Sequence, residues 1–224
     1  MIKKRIICYG DSNTYGFDPR DFGRYDAEHR WPDVMKKLLS ESLSDIDFEV
    51  INSGLNGRAI NLRGIKDWKP GKGMDDLFAG ELARRAPVDL LIIMMGSNNC
   101  AGPQTPEMIA RGLEREAETA LFSDIWSDEP CEPRIVIAIP PVTGGDPDDS
   151  SLPLYLRQEI AKTWELIPLY EEIVKRRGFA VVDVNPACRT CSYDPTHITE
   201  ESHIAVGKLM ADAVTKLLNK ENAL

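Results

Sequence analysis

The chain has 224 residues, enough for one sizeable hydrophobic core, and no Pro-, Gly- or Ser-rich linker divides it, so a single domain spanning 1–224 is expected. Lys and Arg number 27 against 36 Asp and Glu, a formal net charge of −9, which disfavours nucleic acid and anionic membrane as partners because both need a basic face. The basic start Met1-Ile2-Lys3-Lys4-Arg5 leads into an apolar stretch that breaks at Gly10 and Asp11, too short for a secretory core, and no other segment could span a bilayer; a cytoplasmic location is expected.

In chain order, Arg5–Tyr9 reads as a first strand that stops at the small polar turn Gly10-Asp11-Ser12-Asn13-Thr14. The polar connection Tyr15–Arg30 leads to helical periodicity over Trp31–Ser44. Phe48–Asn52 is a second strand, Leu55–Gly73 a second polar connection, and Met74–Arg85 a helix. Leu90–Met95 and Arg134–Ile139 are apolar throughout, as central strands buried on both faces should be, and a helix over Pro106–Trp126 lies between them. A long helix over Leu154–Arg177, stopped by Gly178, precedes the last strand, Ala180–Val184. The final helix spans Glu200–Asn219, with Thr199 as N-cap and Glu200 and Glu201 at the positive end of its dipole.

Strands alternating with helices argue an α/β protein whose parallel sheet is covered on both faces. The connections Tyr15–Arg30, Leu55–Gly73, Gly96–Thr105, Pro140–Pro153 and Asn185–Ile198 each follow the carboxyl end of a strand, where open α/β sheets place their ligand sites. Motifs far apart in sequence therefore converge on one rim.

Cys8, Cys100, Cys131, Cys188 and Cys191 make an odd set, unlike a disulfide scaffold. Cys188-Arg189-Thr190-Cys191 is a lone C-x-x-C with no second pair and no histidine at finger spacing, so partly buried thiols are expected there rather than redox or zinc chemistry.

Ser12 follows the first strand without a G-x-S-x-G elbow. Of three histidines, only His197 has an aspartate three positions back. Pro195 biases Asp194 toward an extended backbone, from which its carboxylate can accept the Nδ1 proton and leave Nε2 as a base. His29 stands in a loop and His203 in the last helix, where surface or packing roles are expected. Ser53-Gly54-Leu55-Asn56-Gly57-Arg58 and Gly96-Ser97-Asn98-Asn99 add glycines that let backbone amides approach a ligand, and an asparagine amide able to donate to a developing oxyanion. Taken singly, each of these is an ordinary turn.

In the order G-D-S, G, G-x-N, D-x-x-H, the set resembles the SGNH (GDSL-type) hydrolase family, from Ile6 to the final helix. Arg30-Trp31, Phe48–Leu55 and Asp89–Gly96 look like its arylesterase and acyltransferase branch. The resemblance implies a three-layer α/β/α, flavodoxin-like fold with a five-stranded parallel sheet. It makes Ser12 the nucleophile, His197 the general base and then acid, and Asp194 the orienting carboxylate. The backbone N–H groups of Ser12 and Gly57 and the side-chain amide of Asn98 would form the oxyanion hole. Gly57 is preferred to Gly54 because the family's donor sits late in the second block, just before a polar residue. Asp11 would brace the turn. Asn99 departs from the family's usual aspartate, which puts local hydrogen bonding in question more than activity.

The implied protein is a serine esterase acting on short-chain acyl esters through an acyl-enzyme, with a small-molecule ester as its partner and no metal or cofactor required. Branch members often form homo-oligomers. A carbohydrate O-acetylesterase is the nearest alternative, with thioesterase or lysophospholipase activity behind it; a non-catalytic binding module on the same fold is the alternative of another class, against which the intact Ser12, Asn98, Asp194 and His197 argue. The acidic run Gly144–Asp149, expected on the active rim, either disfavours strongly anionic substrates such as acyl-CoA or is solvated surface charge, and the sequence fits both equally well.

Overall fold

The computed structural model describes residues 2–61 and 72–221, the side chains of 75–77, 220 and 221 excepted. Residues 62–71 of the expected connection Leu55–Gly73 lie outside the described residues.

The elements run β1 (Ile2–Gly10), α1 (Ser12–Tyr15), β2 (Phe17–Asp18), β3 (Gly23–Arg24), α2 (Trp31–Ser42), β4 (Ile46–Gly54), α3 (Met74–Ala83), β5 (Leu90–Met94), α4 (Ser97–Cys100) and α5 (Pro106–Leu121). They continue with β6 (Ile135–Ile139), α6 (Leu154–Arg177), β7 (Ala180–Asp183), a 3-10 turn at Asn185–Ala187, β8 (Thr190–Cys191), β9 (Asp194–Ile198) and α7 (Glu200–Glu221). The main sheet is five-stranded and parallel in the order β4-β1-β5-β6-β7, so β1 and β5 lie side by side near its middle. The expected α/β architecture and all five strands are present.

Because successive side chains point to opposite faces of a strand, the apolar runs feed two cores. Leu91, Ile93, Ile135, Ile137 and Ile139 pack with residues of α3, α5 and α6 on one face. Leu90, Ile92, Val136 and Ala138 pack with Trp31, Met35 and Leu39 of α2 and Val206, Met210 and Val214 of α7 on the other. The apolar stripes of α2 and α7 recur at three- and four-residue steps, the spacing that makes one helix face.

Beyond small shifts at several element ends, two expectations change. The helix beginning at Pro106 ends at Leu121 rather than Trp126, since the chain turns there to bridge Trp126 to Val88, and the Trp126 indole donates to the Ala120 carbonyl at 3.0 Å. The connection Asn185–Ile198 is not a plain loop, for β8 and β9 pair antiparallel within it. Gly178 ends α6 in the left-handed region at φ 70°, as expected, with its N–H on the Val174 carbonyl. Thr199 caps α7, its hydroxyl accepting from the Ser202 N–H at 3.2 Å. Among the described residues no helix is long and apolar enough to cross a membrane.

Candidate active site

At the carboxyl end of β1 the chain turns sharply into α1. The Asp11 carboxylate accepts the Asn13 N–H at 2.9 Å, and the Asp11 carbonyl accepts the Tyr15 N–H at 2.9 Å. Ser12 is thereby fixed as the first helical residue. Burial pushes the Asp11 carboxyl up to about 6, against the lowering effect of the Asn13 N–H and of the His197 and Arg58 charges. Its role in this fold is to close the turn.

His197 arrives from the other end of the chain on β9, and its Nε2 lies 2.9 Å from Ser12 Oγ. Asp194 begins that strand in the extended form expected before Pro195. One carboxylate oxygen accepts the Thr196 and His197 N–H groups at 3.0 and 3.2 Å; the other faces His197 Nδ1 at 2.7 Å. Partial burial raises the Asp194 carboxyl, but the hydrogen bond and charge of His197, together with the Thr196 and His197 N–H groups, outweigh it and hold the group below the usual carboxylate range. With Nδ1 donating to that carboxylate, Nε2 is the nitrogen left to accept the Ser12 proton.

The 2.9 Å approach spans 185 positions of sequence, and Asn13 supplies the link. Its amide donates to the Thr196 carbonyl at 3.1 Å and accepts the Ile198 N–H at 3.1 Å, gripping β9 on either side of His197. From behind, the Gly144 N–H donates to the Pro195 carbonyl at 2.7 Å, which seats the acidic run Gly144–Asp149 against the same strand. Sequence reasoning assigned Asn13 no role; its position beside the serine was the only available signal.

The loops after β4 and β5 meet through Arg58, which sequence reasoning also left without a role. Gly57 sits at φ 73°, a left-handed conformation favouring glycine, in a turn closed by the Arg58 N–H on the Leu55 carbonyl at 3.0 Å. Gly54 serves a different need, because a Cβ there would stand 2.0 Å from the Tyr15 backbone nitrogen. The Arg58 guanidinium is buried, stacks over the Tyr9 ring at 4.0 Å, donates to the Gly10 carbonyl at 3.1 Å and to the Ser53 carbonyl, and pairs with Glu81 of α3 at 2.9 Å. Glu81 also accepts the Ser53 hydroxyl. The Arg58 backbone carbonyl in turn accepts the Asn98 side-chain amide at 3.0 Å, so one residue ties the Ser12 strand, the Gly57 turn and Asn98 together.

Asn99 performs the support that its departure from aspartate had put in question. Its oxygen accepts the Ile60 N–H at 2.9 Å, and its amide reaches the Asn61 carbonyl and Gln104 at 3.2 and 2.6 Å.

The remaining histidines are occupied differently. His29 has a carboxylate on each ring nitrogen, Asp26 at 2.7 Å and Glu200 at 2.9 Å, so neither nitrogen faces a hydroxyl. His203 is fully buried against Tyr25. Cys188 and Cys191 are free, buried thiols, and burial raises both, Cys188 to about 11. Among the described residues no cluster of His, Cys, Asp and Glu could hold a metal ion. A cavity of about 460 Å³ between β7 and α7 is lined by neither Ser12 nor His197.

The GDSL-like lipase/acylhydrolase family model matches residues 8–203, a span that includes Ser12, Gly57, Asn98, Asp194 and His197. The chain belongs to this family. A solved carbohydrate acetylesterase family member from Sinorhizobium meliloti superposes with a TM-score of 0.81 at 28% identity, over 96% of this chain and 99% of that chain. The native M. smegmatis aryl esterase superposes equally, with a TM-score of 0.81 at 28% identity, over 96% of this chain and 99% of that chain. No curated protein sequence matches. Family and neighbours make this GDSL hydrolase a carboxylic ester hydrolase, and the resemblance drawn from its four blocks stands.

Proposed function

We propose that the protein hydrolyses short-chain acyl esters through a covalent acyl-enzyme formed on Ser12. His197 Nε2 takes the Ser12 proton as the hydroxyl attacks the ester carbonyl, then returns it to the departing alcohol. Asp194 fixes the Nδ1-H tautomer and stabilises the imidazolium. The oxyanion receives the backbone N–H groups of Ser12 and Gly57 and the amide hydrogen of Asn98 that is not held on the Arg58 carbonyl. Water, activated by His197 in the second half, releases the acid.

The observation that carries this reading is the Asp194–His197–Ser12 chain, 2.7 Å and 2.9 Å at its two steps. The wild-type protein is expected to release p-nitrophenol from p-nitrophenyl acetate, with Ser12→Ala at background and Ser12 the sole site labelled by a fluorophosphonate probe. Labelling that survives Ser12→Ala overturns the assignment, and absent turnover with intact folding favours a non-catalytic binding module. O-acetylated carbohydrate is the second reading, favoured by the 28% identical carbohydrate acetylesterase neighbour; acetylated xylan assayed beside a p-nitrophenyl ester series separates the two.

A further inference from the structure

A second cavity, of about 370 Å³, lies between α6, the loop after β6 and the segment from Asn185 to Thr190, and it too is lined by neither Ser12 nor His197. That volume is within the range that holds small ligands. Its walls are braced by hydrogen bonds. The Asn185 side chain accepts the Val142 N–H at 2.8 Å and donates to the Pro140 carbonyl at 3.2 Å, and the Thr143 N–H donates to the Thr163 hydroxyl at 3.1 Å. A Cβ on Gly144 would stand 2.1 Å from the Thr190 hydroxyl oxygen, so the loop closes against β8 only because no side chain is there.

Arg189 is the one charged residue in this lining, in a chain of net charge −9, and its guanidinium has no carboxylate partner among the described residues. Its Nη1 donates to the Cys188 carbonyl at 2.6 Å and lies 3.5 Å from the Asn185 carbonyl, which anchors the group and leaves Nε and Nη2 without a partner among the described residues. Those two nitrogens form the fork that meets both oxygens of a carboxylate in parallel hydrogen bonds. From α6 the Trp164 ring lines the same cavity, 51% exposed, and its indole N–H has no partner among the described residues. Val142 and Cys188 add apolar wall, and burial pushes the Cys188 thiol up to about 11, so it brings no negative charge at neutral pH.

An anchored cation, a flat apolar ring and a lining free of carboxylates together select a ligand with a carboxylate at one end and a flat apolar body at the other. We propose that this cavity binds a small organic carboxylate of that shape, at a site separate from the Ser12–His197 centre. The two sites are separate yet adjoining in the fold, since the Gly144 N–H donates to the Pro195 carbonyl at 2.7 Å and Thr190 pairs with Ile198, on either side of His197 in β9. The test therefore has to tell one from the other.

Isothermal titration calorimetry with 2-naphthoate, and with 2-naphthylmethanol as its uncharged counterpart, provides it. Wild-type protein should bind the carboxylate about tenfold or more tightly than the alcohol, the factor a charge-assisted hydrogen bond supplies. Arg189→Gln should abolish that preference, and Arg189→Lys should keep only part of it because a point charge replaces the fork. Trp164→Ala should weaken both ligands by a few-fold, whereas Trp164→Phe retains them. Trp164→Ala removes no hydrogen bond of the fold, so it keeps the test decisive if Arg189→Gln fails to fold. Binding should persist in protein whose Ser12 has been blocked with a fluorophosphonate; its loss there would place the carboxylate at the active site and overturn the separate site. Equal affinity for carboxylate and alcohol, affinity unchanged in both Arg189→Gln and Trp164→Ala, or no binding at millimolar concentration overturns the proposal as well. None of these affinities depends on ester turnover, so the esterase reading stands or falls apart from this one.

Discussion

His203 offers a test of the fold that is independent of catalysis. It is 0% exposed in α7, lies edge-on to the Tyr25 ring at 5.1 Å, and neither ring nitrogen has a hydrogen-bonding partner among the described residues. Burial pushes its imidazole down to about 3, with the His197 charge acting in the same direction and Asp18 against it. The unfolded chain binds that proton near pH 6.5, so between these values it takes up a proton the folded chain refuses, and stability falls as pH drops. At pH 4.5, two units below the unfolded value, the loss is about 3 kcal/mol; at pH 7.5 it is close to zero. Asp11 acts with the opposite sign, because a folded-state value raised to about 6 contributes stability that is present in acid and lost as pH rises through it. Wild-type stability alone therefore hides the histidine's contribution, and a difference against a non-titrating variant isolates it. In His203→Leu the stability relative to wild type, from urea unfolding, should be about 3 kcal/mol more favourable at pH 4.5 than at pH 7.5. A difference that does not change between the two pH values would refute the burial of an uncharged, unpartnered imidazole.

Two further substitutions probe the loops after β4 and β5. Asn98→Ala should lower kcat by about 10²–10³ while leaving the protein folded, and wild-type turnover would remove Asn98 as a donor. Arg58→Lys keeps the charge but replaces a fork reaching the Gly10 and Ser53 carbonyls and Glu81 with a single point; each charged hydrogen bond lost costs about 1.5–3 kcal/mol of stability. Measured at 25 °C on folded protein, its kcat should fall by about tenfold or more with a smaller change in KM, since a misplaced donor removes transition-state stabilisation rather than uniform binding. Full kcat in that variant would show that Arg58 supports the fold without setting the loops.

Legibility in the sequence followed the range over which each signal acts. Strands β5 and β6 were readable because burial on both faces demands unbroken apolar runs, and α6 because its length and its Gly178 stop are local features. The two-residue strands β2, β3 and β8 are too short for any periodicity to register, so they were absorbed into loops. His203 was expected at a surface or in packing without decision between them, although Val206, Met210 and Val214 lie on the same stripe at helical steps and place position 203 toward the core.

The site divides along the same line. Asp194 and His197 are three residues apart, so their pairing is written locally, and the block order brought in Ser12 and Asn98 by resemblance. What sets the distances between these groups is not local: Asn13 grips β9 on both sides of His197, and Arg58 meets Gly10, Ser53, Glu81 and Asn98 from four separate segments. Asparagine and arginine are common loop residues, and in a linear reading either is indistinguishable from a solvated turn. Only the convergence of strand ends on one rim turns them into clamps. The hydroxyl of Ser12 and the imidazole of His197 stand 2.9 Å apart, and the Asn13 side chain beside that serine bonds the backbone on either side of that histidine, so a local neighbour in sequence makes the long-range link.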